Sequence, residues 1–434
     1  MTHRSVEVPV VARVEGEGAL HVRVDDGVIT RLELEIYEPP RFFEAFLAGR
    51  NVMEVPDIVA RICGICPVAY QSTAMFGLER LFEVELPSGV EALRRLLYMA
   101  EWIESHMLHV HLLALPDFLG VDSAIELAQR GFKAEVERGL RLKRLGNELM
   151  AAIGGREIHP VNPRIGGFWR SPRRREVDAF VPRLEDAARE ILDVADLVAS
   201  LEVPVLTRDA ELVAMVEEGR YPIDHGDVAS TRGRRWRADE HEAVTRELHV
   251  EHSNALHSVM ADTGEPYVVG PLARVVLNEA ALTPVAREAK ARLGLTLPTV
   301  DPFASMAARV VETALAIEEA LRLIRAYEPP DPPHAGVVPR AGRATWTTEA
   351  PRGTIYHRYD VAADGTIVEA KIVPPTSQNL RHMEHDLREF LPSVLDRPDD
   401  ELTRLAEMIV RNYDPCISCA THFLRVEIER GDEG

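Results

Sequence analysis

Residues 61–67 read Arg-Ile-Cys-Gly-Ile-Cys-Pro, and residues 414–422 read Asp-Pro-Cys-Ile-Ser-Cys-Ala-Thr-His. These two stretches hold all four cysteines of the 434-residue chain, as two C-x-x-C pairs about 350 residues apart. The two sulfurs of such a pair can face one ion, because positions i and i+3 lie on the same side of a turn. If both pairs serve one site, the two ends of the chain must meet in the fold.

The cysteine pattern by itself leaves three kinds of site open. A structural zinc with four thiolates usually has its pairs about 15–20 residues apart, so the long separation is unfavourable to it. A redox dithiol would need only one pair. Asp414 and His422 add a carboxylate and an imidazole, and we expect Arg61 to offset thiolate charge. This is more than four-coordinate zinc uses, so the pattern favours a softer transition-metal centre.

The composition argues against several other classes of protein. The chain has 50 Lys and Arg against 70 Asp and Glu, a net charge of −20, whereas nucleic-acid binders usually present a basic face. No apolar run reaches the roughly 18 residues of a membrane helix, and the first residues lack the apolar core of a signal peptide. We therefore expect a soluble protein with neither nucleic-acid nor membrane partners.

Alternating apolar residues predict β structure at both ends of the chain. Residues 20–24 and 32–36 alternate on either side of an Asp-Gly turn, which predicts an N-terminal hairpin over about residues 8–37. A second hairpin is predicted from residues 356–361 and 366–373, which flank another Asp-Gly pair. We expect small sheets to bracket the molecule.

Helical periodicity dominates the middle of the chain. Long helices are predicted at residues 88–115, where Ser88 and Glu91 resemble a capping box, and at 132–152, 175–201, 301–327 and 399–412. The proline-rich residues 328–334 predict a rigid surface crossover.

The predicted fold class is α+β and predominantly α. We expect a central bundle of long helices, about residues 87–327, with small sheets formed by the N-terminal and C-terminal segments. All of residues 1–434 would form a single domain, with the C-terminal β structure and metal ligands at about 345–422.

The two cysteine motifs resemble those of the large, catalytic subunit of nickel-iron hydrogenases, R-x-C-G-x-C and D-P-C-x-x-C-x-x-H. Tyr70 stands where many members have a histidine, a form similar to the cytoplasmic, NAD(P)-linked branch called sulfhydrogenases. Further matching motifs cover nearly the whole length: Arg13-Val-Glu-Gly16, Arg41-Phe-Phe-Glu44, Gly154-Gly-Arg-Glu-Ile-His-Pro160, Gly270-Pro-Leu-Ala-Arg274, Glu349-Ala-Pro-Arg-Gly353 and Val373-Pro-Pro-Thr376.

The resemblance implies a nickel-iron centre that splits dihydrogen reversibly into protons and electrons. Cys63 and Cys416 would bind nickel terminally, whereas Cys66 and Cys419 would also bind an iron that carries carbon monoxide and cyanide. Cys416 would pass the proton to Glu15. The alternative for Glu15, from the sequence alone, is a solvated carboxylate in a turn.

The resemblance also implies polar groups around the metals. Arg352 and Thr376 would donate hydrogen bonds to the cyanide ligands, and Asp117 and Asp414 would complete this polar surround. Arg352 could instead form an ordinary surface salt bridge, and Asp117 could cap a helix end.

A second metal site is implied as well. Glu44, His422 and the backbone carbonyl of Ile372 resemble ligands of a magnesium or iron ion. The histidines between residues 106 and 111 are expected either beside the centre or as satisfied core residues.

The implied partners follow from the cysteine count. Four ligands for one centre leave no cysteine for an iron-sulfur cluster in this chain, so an iron-sulfur small subunit must take the electrons. Flavin and iron-sulfur diaphorase subunits would pass them to NAD(P) in the cytoplasm. A maturation endopeptidase would remove residues 423–434.

Three alternatives remain beside this interpretation. The acceptor could be that of a deazaflavin-reducing or heterodisulfide-linked hydrogenase. From other classes, the chain could be a non-catalytic scaffold subunit or a structural zinc protein.

Overall fold

The structure, a computed structural model, describes residues 3–421. The helices are α1 (Phe43–Leu47), α2 (Val55–Val59), α3 (Pro67–Leu81), α4 (Val90–Leu108), α5 (Leu115–Phe118), α6 (Ala124–Leu127), α7 (Lys133–Gly154), α8 (Arg174–Asp178), α9 (Val181–Ala199), α10 (His241–Val244), α11 (Pro271–Leu277), α12 (Pro284–Arg292), α13 (Ala304–Arg325), α14 (Pro375–Phe390) and α15 (Asp399–Asn412). The strands are β1 (His3–Val8), β2 (Ala19–Asp25), β3 (Val28–Glu35), β4 (Pro163–Arg164), β5 (Gly167–Phe168), β6 (Leu212–Val216), β7 (Asp227–Ser230), β8 (Arg235–Arg237), β9 (Thr245–Val250), β10 (Ser253–Met260), β11 (Val268–Val269), β12 (Gly342–Ala350), β13 (Gly353–Val361) and β14 (Ile367–Val373).

Long helices form the centre of the molecule, as predicted. α4 and α13 are buried on nearly every face and pack against each other, while α7 covers α4 and α9 covers α13. α7, α13 and α15 agree with the helices predicted at 132–152, 301–327 and 399–412. The predominantly α, α+β fold class is therefore confirmed.

The start of α4 differs from the prediction. The capping box at Ser88 is wrong, because Gly89 is the N-cap, in a left-handed conformation with φ 84° and without a side-chain cap. At its other end α4 widens into the π-helical turn His109–Ala114 before α5. The predicted continuous helix to residue 115 is thus three helical segments in sequence.

The two terminal hairpins are confirmed, and each is part of a three-stranded antiparallel sheet. β2 and β3 form the N-terminal hairpin, with β1 added at the edge of β2. The C-terminal sheet has the order β12-β13-β14, and Ala350 pairs with Gly353 across its first turn. This register places Arg352 at the tip of a tight turn.

The middle of the chain contains sheets that the sequence did not predict. Between residues 202 and 270 lie a four-stranded sheet of order β11-β6-β7-β8 and the β9–β10 hairpin. Their strands are short, and an apolar run such as Leu212–Val216 does not distinguish strand from helix by periodicity. The small sheets are thus not confined to the N-terminal and C-terminal segments.

The chain ends meet at the core, as the two cysteine pairs require. Residues 328–334 form a crossover without helix or strand, bent at residues 331–333, and its last residue, His334, bridges to Gly167. Glu15 and Cys416 form a parallel β-bridge, and the amide of Ile417 donates to the Glu15 carbonyl at 2.8 Å. Within residues 3–421, no helix combines the length and apolar character needed to cross a bilayer.

Candidate metal centre

The four cysteines lie on two turns that face each other in the interior. Cys63 ends a short 3-10 turn, and Cys66 immediately precedes α3. Cys416 and Cys419 lie in the segment that follows α15. All four are at most 3% exposed. A helix start and an irregular segment thus present both pairs from opposite ends of the chain.

The sulfur atoms converge on one point. Cys63 Sγ lies 3.6 Å from Cys416 Sγ, and the sulfurs of Cys416 and Cys419 are joined as a disulfide in this structure. The sulfurs of Cys63, Cys66 and Cys419 all lie within 4.8 Å of one another. Four cysteine sulfurs within reach of one another and shielded from water suit a soft transition metal bound by thiolates. The residues present therefore fit a nickel-iron group, and Cys63, Cys66, Cys416 and Cys419 would hold it.

The two N-terminal cysteines differ in how readily they ionise. Burial opposes ionisation of Cys63, but the contact with Cys66 and the charge of Arg352 outweigh it and lower the pKa of Cys63. The contact with Cys63 and burial together raise the pKa of Cys66. Cys63 is therefore the member of the pair that ionises more readily.

Glu15 lies directly against the C-terminal cysteine pair. Its Oε2 is 3.0 Å from Cys416 Sγ and accepts the amide of Ser418 at 3.1 Å. The β-bridge between Glu15 and Cys416 fixes this placement through the backbone. The carboxylate is half-buried. It is not the solvated turn residue that the sequence alone allowed.

Arg352 is buried beside the cysteines. Its Nε donates to the carbonyl of Asp414 at 2.7 Å and its Nη2 to Oδ1 of the same residue at 3.0 Å. Its Nη1 has no hydrogen-bond partner in the described part of the chain. Burial alone would lower the pKa of Arg352, but the charges of Asp414, Cys66 and Cys63 raise it. A permanent cation with a free donor therefore lies next to the sulfurs, and the surface salt bridge is excluded.

Arg274 holds the turn that carries Arg352. It is wholly buried and donates to the carbonyls of Ala350 and Pro351, both at 2.8 Å. It also forms ion pairs with Glu312 and Glu349. The matching motifs at 270–274 and 349–353 thus meet in space.

Thr376 and Asp117, both predicted to lie beside the metals, differ in their distance from the cysteines. Thr376, at the start of α14, accepts the amide of Cys416 at its Oγ1 at 2.9 Å and so contacts the centre. Asp117 instead joins two arginines, pairing with Arg13 and, through both oxygens, with Arg411 at 2.7 Å. Asp117 is not a helix cap, since α5 has no side-chain cap. It connects the N-terminal segment that carries Glu15 to α15, which leads into the C-terminal cysteines.

The expectation for Arg61 is wrong, and Arg41 lies beside the cysteines in its place. Arg61 pairs with Asp57 at 3.0 Å on the surface. Arg41 instead enters the site, donating to the carbonyls of Ile62 and Ser418. Tyr70 is buried; burial and the neighbouring charges of Cys66 and Cys63 raise its pKa well above the usual value.

Arg309 is a further neighbour that the sequence analysis missed. It is buried in α13, where it donates to the carbonyl of Asn412 at 3.2 Å, and burial lowers its pKa to about 10. Its Nε and Nη2 have no hydrogen-bond partner among residues 3–421. An arginine inside a long apolar helix was the available signal.

His106, His109 and His111 are core residues. His109 bonds the carbonyl of Arg411 through Nε2 at 2.7 Å, and His106 Nε2 lies 3.0 Å from Glu312. Burial lowers the pKa of His106 and His111 to about 4 and that of His109 to about 3. None of these contacts reaches a cysteine sulfur.

Two of the three predicted ligands of the second metal lie together. The amide of Ile372 donates to Glu44 Oε1 at 2.6 Å. The amide of Arg41 donates to the carbonyl of Thr421 at 2.6 Å, so the described chain ends close to α1. His422 itself lies outside the described residues, as do residues 423–434.

Comparisons with known proteins agree with this geometry. The family model described as nickel-dependent hydrogenase matches residues 41–152 and 260–422. The chain is 33% identical over 420 residues to sulfhydrogenase 1 subunit alpha of Pyrococcus furiosus, covering 96% of this chain and 97% of that protein. It is 31% identical over 424 residues to sulfhydrogenase 2 subunit alpha of the same organism, covering 97% and 100%.

A solved structure shares the fold over nearly the whole length. The crystal structure of an NAD+-reducing NiFe-hydrogenase in the H2-reduced state superposes with a TM-score of 0.85 at 27% identity. The superposition covers 96% of this chain and 99% of that chain.

Proposed function

The chain belongs to the nickel-dependent hydrogenase family as a large, catalytic subunit, and from this premise we propose that its four cysteines, Glu15 and Arg352 split dihydrogen reversibly. The observation that carries the proposal is the convergence of four buried sulfurs with a carboxylate oxygen 3.0 Å from one of them. Cys63, Cys66, Cys416 and Cys419 would hold a nickel-iron group with carbon monoxide and cyanide on iron, and this group would supply the cleavage of the H–H bond.

The residues of this chain have separate tasks in the proposal. Cys416 Sγ accepts the proton and passes it to Glu15 Oε2, since the two atoms are within hydrogen-bond reach. Arg352 supplies a fixed positive charge, and its free Nη1 serves as a donor to cyanide. Thr376, whose Oγ1 accepts the amide of Cys416, would donate its hydroxyl to cyanide, and Asp414 orients the guanidinium of Arg352. Asp117 acts at a distance by positioning the segment of Glu15.

An electron-accepting partner fits the surface beside the N-terminal cysteines. Ile158, Val161 and Trp169 are 54%, 41% and 60% exposed on the segment after α7. A Cβ added at Gly64, between Cys63 and Cys66, would lie 3.6 Å from Ile158. An apolar surface next to the metal ligands supports docking of an iron-sulfur small subunit there.

The electron acceptor is proposed from the relatives. Similarity to sulfhydrogenase alpha subunits and to an NAD+-reducing enzyme supports transfer through diaphorase subunits to NAD(P), in the cytoplasm. The alternatives are a deazaflavin or a heterodisulfide. Supplying the purified complex with each acceptor in turn under dihydrogen distinguishes them. Failure of the complex to reduce NAD(P) would contradict the proposed branch.

Two further features belong to the same proposal. Glu44, the carbonyl of Ile372 and His422 would hold magnesium or iron, which the contact between Glu44 and Ile372 supports. A maturation endopeptidase would cut after His422. Full-length mass in nickel-loaded protein would contradict the cleavage.

Infrared spectroscopy of the nickel-loaded complex tests the centre. Iron-bound carbon monoxide and cyanide absorb in a window where protein does not, so we expect their bands in the unaltered complex. Cys419→Ser should abolish the bands together with dihydrogen uptake, whereas Ser393→Ala, in the 3-10 turn after α14, should leave both unchanged. An intact, nickel-loaded complex without these bands would overturn the assignment. A zinc-containing protein without nickel would favour the structural zinc site instead.

A further inference from the structure

A second cluster of metal-ligating side chains lies away from the four cysteines. His252 occupies the turn between β9 and β10, His257 lies in β10, and Glu384 lies in α14. One ligand atom from each of the three lies within 4.8 Å of the other two. Three separate elements thus bring two imidazoles and a carboxylate together.

His257 has unused bonding capacity. It is 0% exposed, and neither of its ring nitrogens has a hydrogen-bond partner in the described part of the chain. Buried polar groups in proteins are nearly always paired, so an imidazole without a partner in a cluster of potential ligands points to a missing one. A metal ion is the partner that accepts the lone pair of a neutral imidazole.

Glu384 is positioned for the same role. Its Oε1 accepts the amide of Leu34 at 3.0 Å and lies 2.7 Å from His252 Nε2. Its Oε2 lies 3.9 Å from Arg381 Nη1, and the Arg381 side chain is 50% exposed and can move into solvent. The carboxylate is therefore fixed by the backbone of β3 while one oxygen stays available.

A second cluster of potential ligands in α14 differs from this one because its carboxylate is already paired with an arginine. His382, His385 and Asp386 also lie within 4.8 Å of one another. There, Arg208 is buried against Asp386 and donates to Tyr413, and its Nη1 lies 3.3 Å from His382 Nδ1. A fixed guanidinium already neutralises that carboxylate and would repel a cation.

We propose that His252, His257 and Glu384 form a binding site for a divalent transition metal of the zinc type. Two imidazoles and one carboxylate are a zinc ligand set, with a fourth position left for water. His252 is 20% exposed in its side chain, which gives the ion a route from solvent. The bound ion ties α14 to the β9–β10 hairpin. α14 begins with the residues that support Cys416, so the ion also secures one wall of the catalytic centre.

The test uses the assembled, nickel-loaded complex, so that the cysteine centre is already filled. After treatment with a chelator and dialysis against zinc alone, we expect the unaltered complex to retain one more zinc per large chain than the double variant His252→Ala/Glu384→Gln. Either single change should weaken zinc binding about tenfold or more. His385→Ala is the matched control and should leave zinc uptake unchanged.

A second measurement covers a variant that fails to assemble. Cobalt(II) added to the unaltered complex should give the visible absorption of a tetrahedral site, and zinc should displace it. Nickel content and the infrared bands should persist in every variant that assembles, which separates this site from the proposed hydrogenase centre. Equal zinc retention by the unaltered complex and the double variant, or absence of the cobalt absorption, would overturn the proposal.

Discussion

Glu15 shows how one side-chain oxygen can serve both structure and chemistry. Its Oε2 accepts the amide of Ser418 and contacts Cys416 Sγ, while its backbone pairs with Cys416 and Ile417. The backbone bridge does not involve the carboxyl group, so it would hold the segment around Glu15 in place whether or not the side chain can carry a proton. Structure and proton transfer can therefore be separated by a change that keeps the shape of the side chain.

Glu15→Gln makes that separation. The amide oxygen still accepts the Ser418 amide, but the side chain cannot take up a proton, so we expect normal nickel content and infrared bands. Exchange between dihydrogen and deuterated water should slow by about a hundredfold to ten-thousandfold. Glu17→Gln, on the exposed neighbour, is the control. Unchanged exchange in Glu15→Gln would contradict the proposed relay.

Buried arginines decide the shape of the site at the same scale. Arg274 satisfies two carbonyls and two carboxylates at once, which fixes the turn of Arg352. Arg352 in turn donates hydrogen bonds to Asp414. The backbone of Asp414 has φ 53°, a left-handed conformation that Asp tolerates. The guanidinium that faces the sulfurs is therefore held by a chain of buried contacts.

At the scale of elements, the helical core depends on a close approach of α4 and α7. Gly146 of α7 lies against the main chain of α4, and a Cβ there would lie 2.6 Å from Ala100 O and 2.7 Å from Glu104 N. Backbone atoms cannot rotate aside as side chains can. The absence of a side chain at Gly146 therefore sets the distance between the two helices.

Gly146→Ala should destabilise the protein by about 1–3 kcal/mol, because the helices must separate to admit the methyl group. The check is the thermal unfolding midpoint of the complex. Gly336→Ala is the matched control, since no heavy atom lies within 4 Å of the position of its added Cβ. Equal midpoints for the two variants would show that the helices can separate at no cost.

The π-helical turn after α4 predicts sensitivity to acid. Burial lowers the pKa of His109 to about 3 and that of His111 to about 4, whereas the pKa of a histidine in an unfolded chain is about 6.5. Above that pH both states are neutral and stability is full. As the pH falls towards 4, only the unfolded chain binds protons at these two histidines. Each of them therefore lowers the free energy of unfolding by about 1.4 kcal/mol per pH unit.

His111→Leu should therefore flatten the fall of the unfolding midpoint between about pH 6.5 and about pH 4. The control is His385→Leu, at an exposed position, which should leave the pH dependence as it is. An unchanged slope in His111→Leu would mean that His111 is already protonated in the folded state.

At the scale of the whole molecule, the surface formed by Ile158, Val161 and Trp169 is the proposed route for electrons out of the centre. Ile158→Glu should weaken association with the iron-sulfur subunit by placing a charge in the interface, and gel filtration should separate the two chains. Ile125→Glu is matched in residue type, at a position 74% exposed on α6, and should not affect assembly. Co-elution of the Ile158→Glu chains would place the partner elsewhere.

The sequence by itself determined the local elements and the chemistry of the ligands. The helix predicted at residues 399–412 agrees with α15, and the terminal hairpins are confirmed, because periodicity and turn residues act over a few positions. The two cysteine pairs indicated a thiolate-bound metal and a meeting of the chain ends. The roles of the individual site residues stay predictions.

Only the tertiary structure decided which groups face the centre. Arg41 enters it while Arg61 stays on the surface, and Arg309 is buried against the end of α15. Asp117 joins two arginines from opposite ends of the chain. The same holds for the sheets between residues 202 and 270. The physical reason is that these contacts join residues far apart in sequence, so they depend on the path of the chain, which local patterns do not contain.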